Sequence, residues 1–404
     1  MEDADIESSK MESEASMSRK VKACRILVIA DAAGTGGNYH AGDEGMTLVA
    51  MERLKAIVGP ENLALLCPHP GTAGPAYGVK AVFMPMRTLK TWISWLFVKP
   101  LLSWHQIGRL IWHTYQAEII FKAGGGNLRG TESRLPILTL ANLLHKRIFL
   151  VSQTIGPLGE PHRKALQRQL AKADWIGVRD RSYSQAQLGL PVHFAADDAV
   201  FLTPKHDAVT AKLVEEHEHM VGISYIGLRE SEMLKGLLAT TENIVIDLKA
   251  APVFIPHYTR HRRGDLSVAR LLVNEWRRAE PIILQQAPPA PAILALTSRL
   301  MLVLGSRYHA VVFALTAGVP VVAISVDIYS AAKMRGAFEQ FDLDPYLVDI
   351  KDVPARLEGA AQKALADRSL FARAAQKVKQ TGVAMNMAPY ELLARICHPL
   401  QGVQ

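Results

Sequence analysis

The chain has 404 residues, more than one ordinary core accommodates, so two domains are expected. Apolar residues make up 49% and charged residues 21%, a globular balance that excludes a chain disordered throughout. The net charge of +8 suits an acidic partner, such as a phosphorylated small molecule or an anionic membrane surface; with no zinc-ligand pair or RNP-like aromatic segment beside it, the charge does not point to nucleic acid.

Residues 1–22 are acidic, rich in serine and without an apolar core, which predicts a disordered tail rather than a signal peptide. Cys24, Cys67 and Cys397 are odd in number, far apart and lack CxxC spacing. Neither a disulfide nor structural zinc is therefore expected, and a reducing, cytoplasmic compartment is. No apolar run reaches the length of a membrane span.

Arg25 to Ala30 is a continuous apolar run and reads as a buried parallel strand. The glycine-rich loop Gly34 to Gly45 follows, and then Met46, Val49, Ala50, Leu54, Ile57 and Val58 recur at helical spacing. This strand, loop and helix open a βαβ unit. Further strands are expected at Leu63–Cys67, Ala81–Met84, Glu118–Phe121, Arg147–Val151 and Trp175–Val178, each ending in a small or polar loop where open parallel sheets bind ligands. A polar connector spans Thr203 to Val221. A second series begins at Val221–Tyr225 and continues through Ala251–His257, Pro281–Leu284, Leu300–Gly305 and Val319–Ser325. The reading is therefore α/β: a first domain over 23–205, a second over 220–380 and a C-terminal helix over 381–404, with a cleft between the domains.

An aromatic helical insertion over 91–115 interrupts the first domain. It carries Trp92, Trp95, Trp104 and Trp112 among Lys99, His105, Arg109 and His113, with Pro100 dividing it. Such a segment serves either as a membrane-interface or acceptor-binding helix pair or as an ordinary helix packing on the first lobe. The second is favoured, because amphipathic stripes usually face a core.

Gly305-Ser306-Arg307-Tyr308-His309-Ala310, between a strand and a helix, is the strongest chemical signal. Arg307 offers a planar fork for carboxylate or phosphate. His309 titrates near neutrality and can move a proton, and the first helix amides add an anion site. The structural alternative is an Arg307 paired with an acid and a His309 that caps the helix. Asp43 reads equally as a base, as an acceptor-positioning group or as a helix N-terminal acid. Asn38 and His40 share its loop. Gly124-Gly125-Gly126 either lets backbone approach a ligand or makes a tight turn. Gln153 contacts substrate or supports a turn. His257 stands at a strand edge before the basic loop running to Asp265.

Several blocks in one order resemble the polysaccharide pyruvyltransferase family. They are Gly42-Asp43-Glu44, Gly124-Gly125-Gly126, Ser152 to Pro157, Val178 to Ser182 and Ala196 to Leu202. Ile255-Pro256-His257, Ser306 to Ala310, Gly318-Val319-Pro320, Asp327 and Lys333 complete the set. The resemblance implies a GT-B-like fold of two Rossmann-like parallel-sheet domains facing a central cleft. It also implies transfer of a pyruvyl group from phosphoenolpyruvate to sugar hydroxyls as a ketal. Within it, Arg179, Arg307 and His309 go with the donor. The full candidate set is catalytic His309 and Asp43; donor-binding Arg179, Arg307, Ser306, Gly125, Gly126, Gln153 and Lys333; and acceptor-binding Asn38, His40 and His257. Phosphoenolpyruvate is expected as co-substrate, with no metal and no other cofactor. The partner is a sugar or lipid-linked saccharide acceptor, met at the inner face of the membrane if 91–115 makes contact there. A longer spacer before Gly42 and Tyr308 in place of leucine depart from the usual pattern. The competing readings are a GT-B glycosyltransferase with a nucleotide-sugar donor and a non-catalytic scaffold. No Walker loop or placed GxGxxG supports a kinase or dehydrogenase.

Overall fold

The computed structural model describes residues 24–34, 39–84, 100–128, 135–226, 232–259 and 264–398. Asn38, the tail over 1–22, residues 91–99 of the aromatic insertion and residues 260–263 of the basic loop lie outside them. The first lobe contains β1 (Ile26–Ile29), β2 (Leu63–Cys67), β3 (Lys80–Phe83), β4 (Ile119–Lys122), β5 (Gly125–Leu128), β6 (Arg147–Ile155), β7 (Trp175–Val178) and β8 (His193–Phe194). Its helices are α1 (Ala41–Val58), α2 (Pro70–Tyr77), α3 (Pro100–Gln116), α4 (Leu135–Leu143), α5 (Glu160–Leu170) and α6 (Tyr183–Leu188). The connector forms α7 (Ala208–Glu216), started by a reciprocal cap between Asp207 and Thr210.

The second lobe holds β9 (Met220–Ser224), β10 (Ala251–Phe254), β11 (Ile282–Ile283), β12 (Leu302–Gly305), β13 (Val321–Ser325) and β14 (Leu347–Asp349). Between and after these run α8 (Glu232–Asp247), α9 (Leu266–Glu275), α10 (Ala290–Thr297), α11 (Tyr308–Ala317), α12 (Ile328–Glu339), α13 (Val353–Ala366) and α14 (Arg368–Cys397).

Every strand pairing in both sheets is parallel. The strand orders are β3-β2-β1-β4-β6-β7-β8, with β5 beside β6, and β11-β10-β9-β12-β13-β14. Strand order reverses between β1 and β4 in one sheet and between β9 and β12 in the other. In open parallel sheets these reversals open a crevice at the strands' carboxyl ends.

The continuous apolar runs exist because both faces of each sheet are covered. Ile26 and Val28 of β1 face one cluster with Met51 and Leu54 of α1 and Tyr77 of α2. Leu27 and Ile29 face the opposite cluster, with Leu110 of α3, Leu138 of α4 and Leu166 of α5. Helix α1 is shared, since its Met46 and Val49 join the second lobe's core. In α3, Leu110 and Thr114 are buried while Ile111, Trp112 and Tyr115 are exposed, so its inner face packs on the first lobe. Among the described residues, no helix is long and apolar enough to cross a membrane.

The helix expected from residue 381 begins earlier, at Arg368, and joins the lobes. Phe371, Ala374 and Val378 pack into the second core, whereas Tyr390, Leu393 and Cys397 pack into the first. Cys397 is disulfide-bonded to Cys24, with Cα atoms 5.2 Å apart. This corrects the expectation that no disulfide forms. The two cysteines are separated by 373 residues, and only the return of α14 to β1 brings them together.

Candidate active site

The two switch points face one cleft of about 250 Å³. The first lobe contributes His40, Asp43, Gly126 and Arg179 to its walls, and the second contributes His257, Ser306, Arg307, His309 and Lys333. Apart from Gly126, near the start of β5, each follows the carboxyl end of a strand or lies in the first turns of the helix that comes next, which is how this topology gathers residues so distant in sequence.

Arg179 follows β7 directly and is 1% exposed. Its Nε donates to Thr154 Oγ1 at 2.9 Å and its Nη1 to Asp197 Oδ2 at 2.5 Å. The guanidinium carbon lies 4.2 Å from the centre of the Tyr308 ring. Burial by itself works to lower the pKa of such a cation. Tyr308 and Asp197 more than offset that cost and hold its pKa above the ordinary value. Burial likewise opposes the Asp197 charge, and Arg179 and His309 overcome it, keeping the carboxylate ionised.

Arg307 precedes α11 as its N-cap. Its Nε donates to Asp265 Oδ1 at 2.8 Å, its Nη2 bonds the same oxygen, and its guanidinium lies over the Tyr258 ring at 5.3 Å. The other Asp265 oxygen accepts the backbone N–H groups of His257 at 2.8 Å and Tyr258 at 3.0 Å. One buried carboxylate therefore fixes Arg307 and the start of the basic loop together.

His309 is 4% exposed, with Nε2 3.6 Å from Asp197 Oδ2. Its ring lies so close to α1 that a Cβ on Gly42 would fall 1.8 Å from Nδ1, so only glycine fits there. Burial lowers its pKa although Asp197 pulls the other way. Arg307 is paired with an acid, as the structural alternative has it, but His309 lies inside α11 and does not cap it, facing Asp197 instead; both residues line the cleft.

Asp43, in the first turn of α1, sits 3.3 Å from His40 Nδ1. Burial would raise its pKa, but His40, His309 and Arg179 outweigh burial and lower it. Burial brings His40 down to about 4. His257, 2% exposed, places Nδ1 2.8 Å from Ser224 Oγ and 3.1 Å from the Ile255 carbonyl oxygen. Burial lowers it to about 3. Ser306 Oγ accepts the Ile226 N–H at 2.8 Å and so ties the ends of β9 and β12.

Gly126 forms a floor where the lobes meet. Its carbonyl accepts the Tyr329 hydroxyl from α12 at 3.1 Å. A Cβ built there would lie 2.8 Å from Tyr329 Oη, 3.4 Å from Lys333 Nζ and 3.7 Å from Arg179 Nη2. Cations from opposite lobes therefore approach one small space that a side chain would fill.

Two expected donor contacts stand elsewhere. Gln153 is fully buried, and its Nε2 donates to the carbonyls of Ala123 at 2.8 Å and Val151 at 2.6 Å, so it supports the turn. Gly125 pairs with Gln153 in the β5–β6 ladder and does not line the cleft. The sequence reading missed Asp197 and Asp265 as the arginines' counter-ions and Tyr308 as the ring under Arg179. It also set metal aside, yet His40, Asp43 and His309 bring one possible ligand atom each to within 4.8 Å of one another. These are donor types that bind divalent cations, and the grouping escaped notice because His309 comes from the other lobe.

A profile of the polysaccharide pyruvyl transferase family matches residues 66–328, most of the chain. The chain belongs to this family. No curated protein sequence matches it. Among solved structures it is similar to a UDP-N-acetylglucosamine 2-epimerase, described as putative, from Listeria monocytogenes. The TM-score is 0.61 at 13% identity, covering 94% of this chain and 97% of that one. It is also similar to the S. aureus MnaA–UDP structure, with a TM-score of 0.60 at 12% identity over 94% and 98% of the two chains. A UGT transferase from Siraitia grosvenorii in complex with UDP follows, with a TM-score of 0.56 at 9% identity over 93% and 99%. At these identities the likeness shows the fold, which is GT-B. This pyruvyl transferase family member is thus a transferase whose cleft lies where GT-B lobes face one another, lined by arginine and lysine cations and by the imidazoles of His40, His257 and His309.

Proposed function

We propose that this family member transfers the pyruvyl group of phosphoenolpyruvate to sugar hydroxyls of a glycan or glycolipid, forming a ketal and releasing phosphate. The observation that carries the reading is the convergence of Arg179 and Lys333 on the bare backbone of Gly126, with Arg307 on the same cleft. Phosphoenolpyruvate presents a phosphate and a carboxylate a few atoms apart, and cations on two sides of a small space match that spacing.

Ketal formation needs a proton at the methylene carbon C3, oxygen attack at C2 and departure of phosphate. His309 supplies the proton to C3, and Asp197 beside it steadies the imidazolium that donates it. Asp43 and His40, at the N-terminus of α1, line the first-lobe side for the sugar acceptor.

The test is phosphate release from phosphoenolpyruvate against UDP-hexoses and polyprenyl-diphosphate-linked saccharides, joined to calorimetric titration with the donor. Arg307→Ala is expected to weaken donor binding at least about tenfold, a loss near 1.4 kcal/mol. His309→Gln keeps much of the binding and loses about a hundredfold or more in turnover. Undiminished donor affinity in Arg307→Ala removes the assignment.

A further inference from the structure

His257 stands in the wall of the cleft beside Arg307 and His309. The Ile255 carbonyl oxygen, 3.1 Å from Nδ1, can only accept a hydrogen bond. Ser224 Oγ, 2.8 Å from Nδ1, can donate or accept, so a hydrogen on Nδ1 suits both neighbours. A bare Nδ1 would take the Ser224 hydrogen but stand lone pair to lone pair with the Ile255 oxygen. The tautomer that suits both leaves Nε2 with its lone pair. Nε2 is buried without a protein hydrogen-bond partner, and His257 lines the cleft. The ring is held in this orientation through Nδ1, by Ser224 Oγ and the Ile255 carbonyl oxygen. The backbone is held as well: its N–H by Asp265, and its carbonyl by the Ala41 N–H from the other lobe at 2.9 Å. A buried acceptor left unmatched costs about 1–3 kcal/mol, so its partner arrives with a ligand.

That partner is not the donor. With its phosphate and carboxylate ionised, phosphoenolpyruvate has no N–H or O–H. The second substrate does, because its reacting groups are hydroxyls.

Resting on the donor assignment made above, we propose that Nε2 of His257 receives the hydroxyl of the sugar acceptor and takes its proton as the oxygen attacks. In that step the O–H bond breaks, the sugar oxygen bonds C2, and C3 gains a proton from His309. The C2–O–phosphate bond then breaks with its electron pair going to phosphate, and a second sugar hydroxyl closes the ketal. Two hydroxyl protons are lost in all. One balances the proton added to C3, and the other leaves on hydrogenphosphate, which returns His257 to its neutral form. Burial first, then His309, Arg307 and His40, disfavour a charge on the ring in the empty cleft; a bound polyanion offsets the positive field and makes the imidazole a better base.

Two substitutions and one spectrum test this. His257→Asn keeps a group near Ser224 and Ile255 but has no atom at the Nε2 position. It is expected to bind phosphoenolpyruvate within about twofold of wild type, while kcat/KM for the UDP-hexose or polyprenyl-diphosphate saccharide that supports turnover falls about a hundredfold or more. His257→Gln supplies an acceptor atom without basicity, so KM for the saccharide stays near wild type and kcat falls. Nitrogen-15 NMR of the ligand-free protein should show the His257 ring protonated at Nδ1 alone. Protonation at Nε2, or wild-type saccharide kinetics in either variant, overturns the proposal. A wild-type protein that neither binds phosphoenolpyruvate nor releases phosphate from it defeats the donor assignment instead, and the NMR result still decides the tautomer.

Discussion

Arg179 and Arg307 are each held by a buried aspartate through paired or short hydrogen bonds, and neither aspartate is near its arginine in sequence. A cation kept partly out of water needs such a counter-ion, and here the counter-ion also fixes the direction of the guanidinium. The arginines and His309 were legible because they follow strands in a recognisable motif. Asp197 and Asp265 were not, because 18 and 42 residues separate them from their partners and only the folded sheet joins them. Gln153 looked like a donor contact for the converse reason: its position after a strand matches that of a ligand-binding residue, but its amide is spent on two carbonyls. Gly126 allows a sharp test. A methyl there would stand 2.8 Å from Tyr329 Oη and 3.4 Å from Lys333 Nζ. Gly126→Ala is expected to weaken donor binding about tenfold or more by calorimetry, with the melting temperature little changed.

At the scale of elements, the junction of β1 and α1 depends on one carboxylate. Glu44, 4% exposed in the first turn of α1, accepts the N–H groups of Ala33 at 2.5 Å and Gly34 at 3.1 Å, and bonds the Tyr77 hydroxyl of α2. Burial lifts its pKa from 4.5 to about 7 against those hydrogen bonds. Between these two values the folded chain keeps a proton that the unfolded chain has released. The associated stability is therefore full below about pH 4.5 and is lost as pH rises through about 7. At 1.36 kcal/mol per pKa unit the change is about 3 kcal/mol. Urea unfolding at pH 5 and pH 8 is expected to show this fall in wild type and a smaller one in Glu44→Gln. The strand, glycine loop and helix were all readable from apolar spacing and glycines. The buried acid was not, since Asp43 and Glu44 side by side read alike as helix N-terminal residues.

Across the whole molecule, the two sheets followed from two series of apolar runs, and their parallel order gave the cleft. The join between lobes did not follow from the sequence. It rests on α1, shared by two cores, and on α14, whose apolar residues divide between them. Tyr390 of α14 is 1% exposed, its ring 5.6 Å from Phe121 and its hydroxyl 3.2 Å from Asp198. Tyr390→Ala is expected to cost about 3–5 kcal/mol in urea unfolding, the range for removing a buried aromatic ring, and to destabilise the first lobe although the substitution lies near the other end of the chain.

Helix α14 also bears on the order of events during synthesis. The strand that begins the first core leaves the ribosome hundreds of residues before the helix that covers it, since Cys24 and Cys397 are 373 positions apart. Through most of translation the face of β1 carrying Ile26 and Val28 awaits its last cover, and the first lobe, made earliest, is finished latest. A nascent chain of this protein holds that apolar surface open until the second lobe has been built, which is the interval in which a chaperone has something to grip.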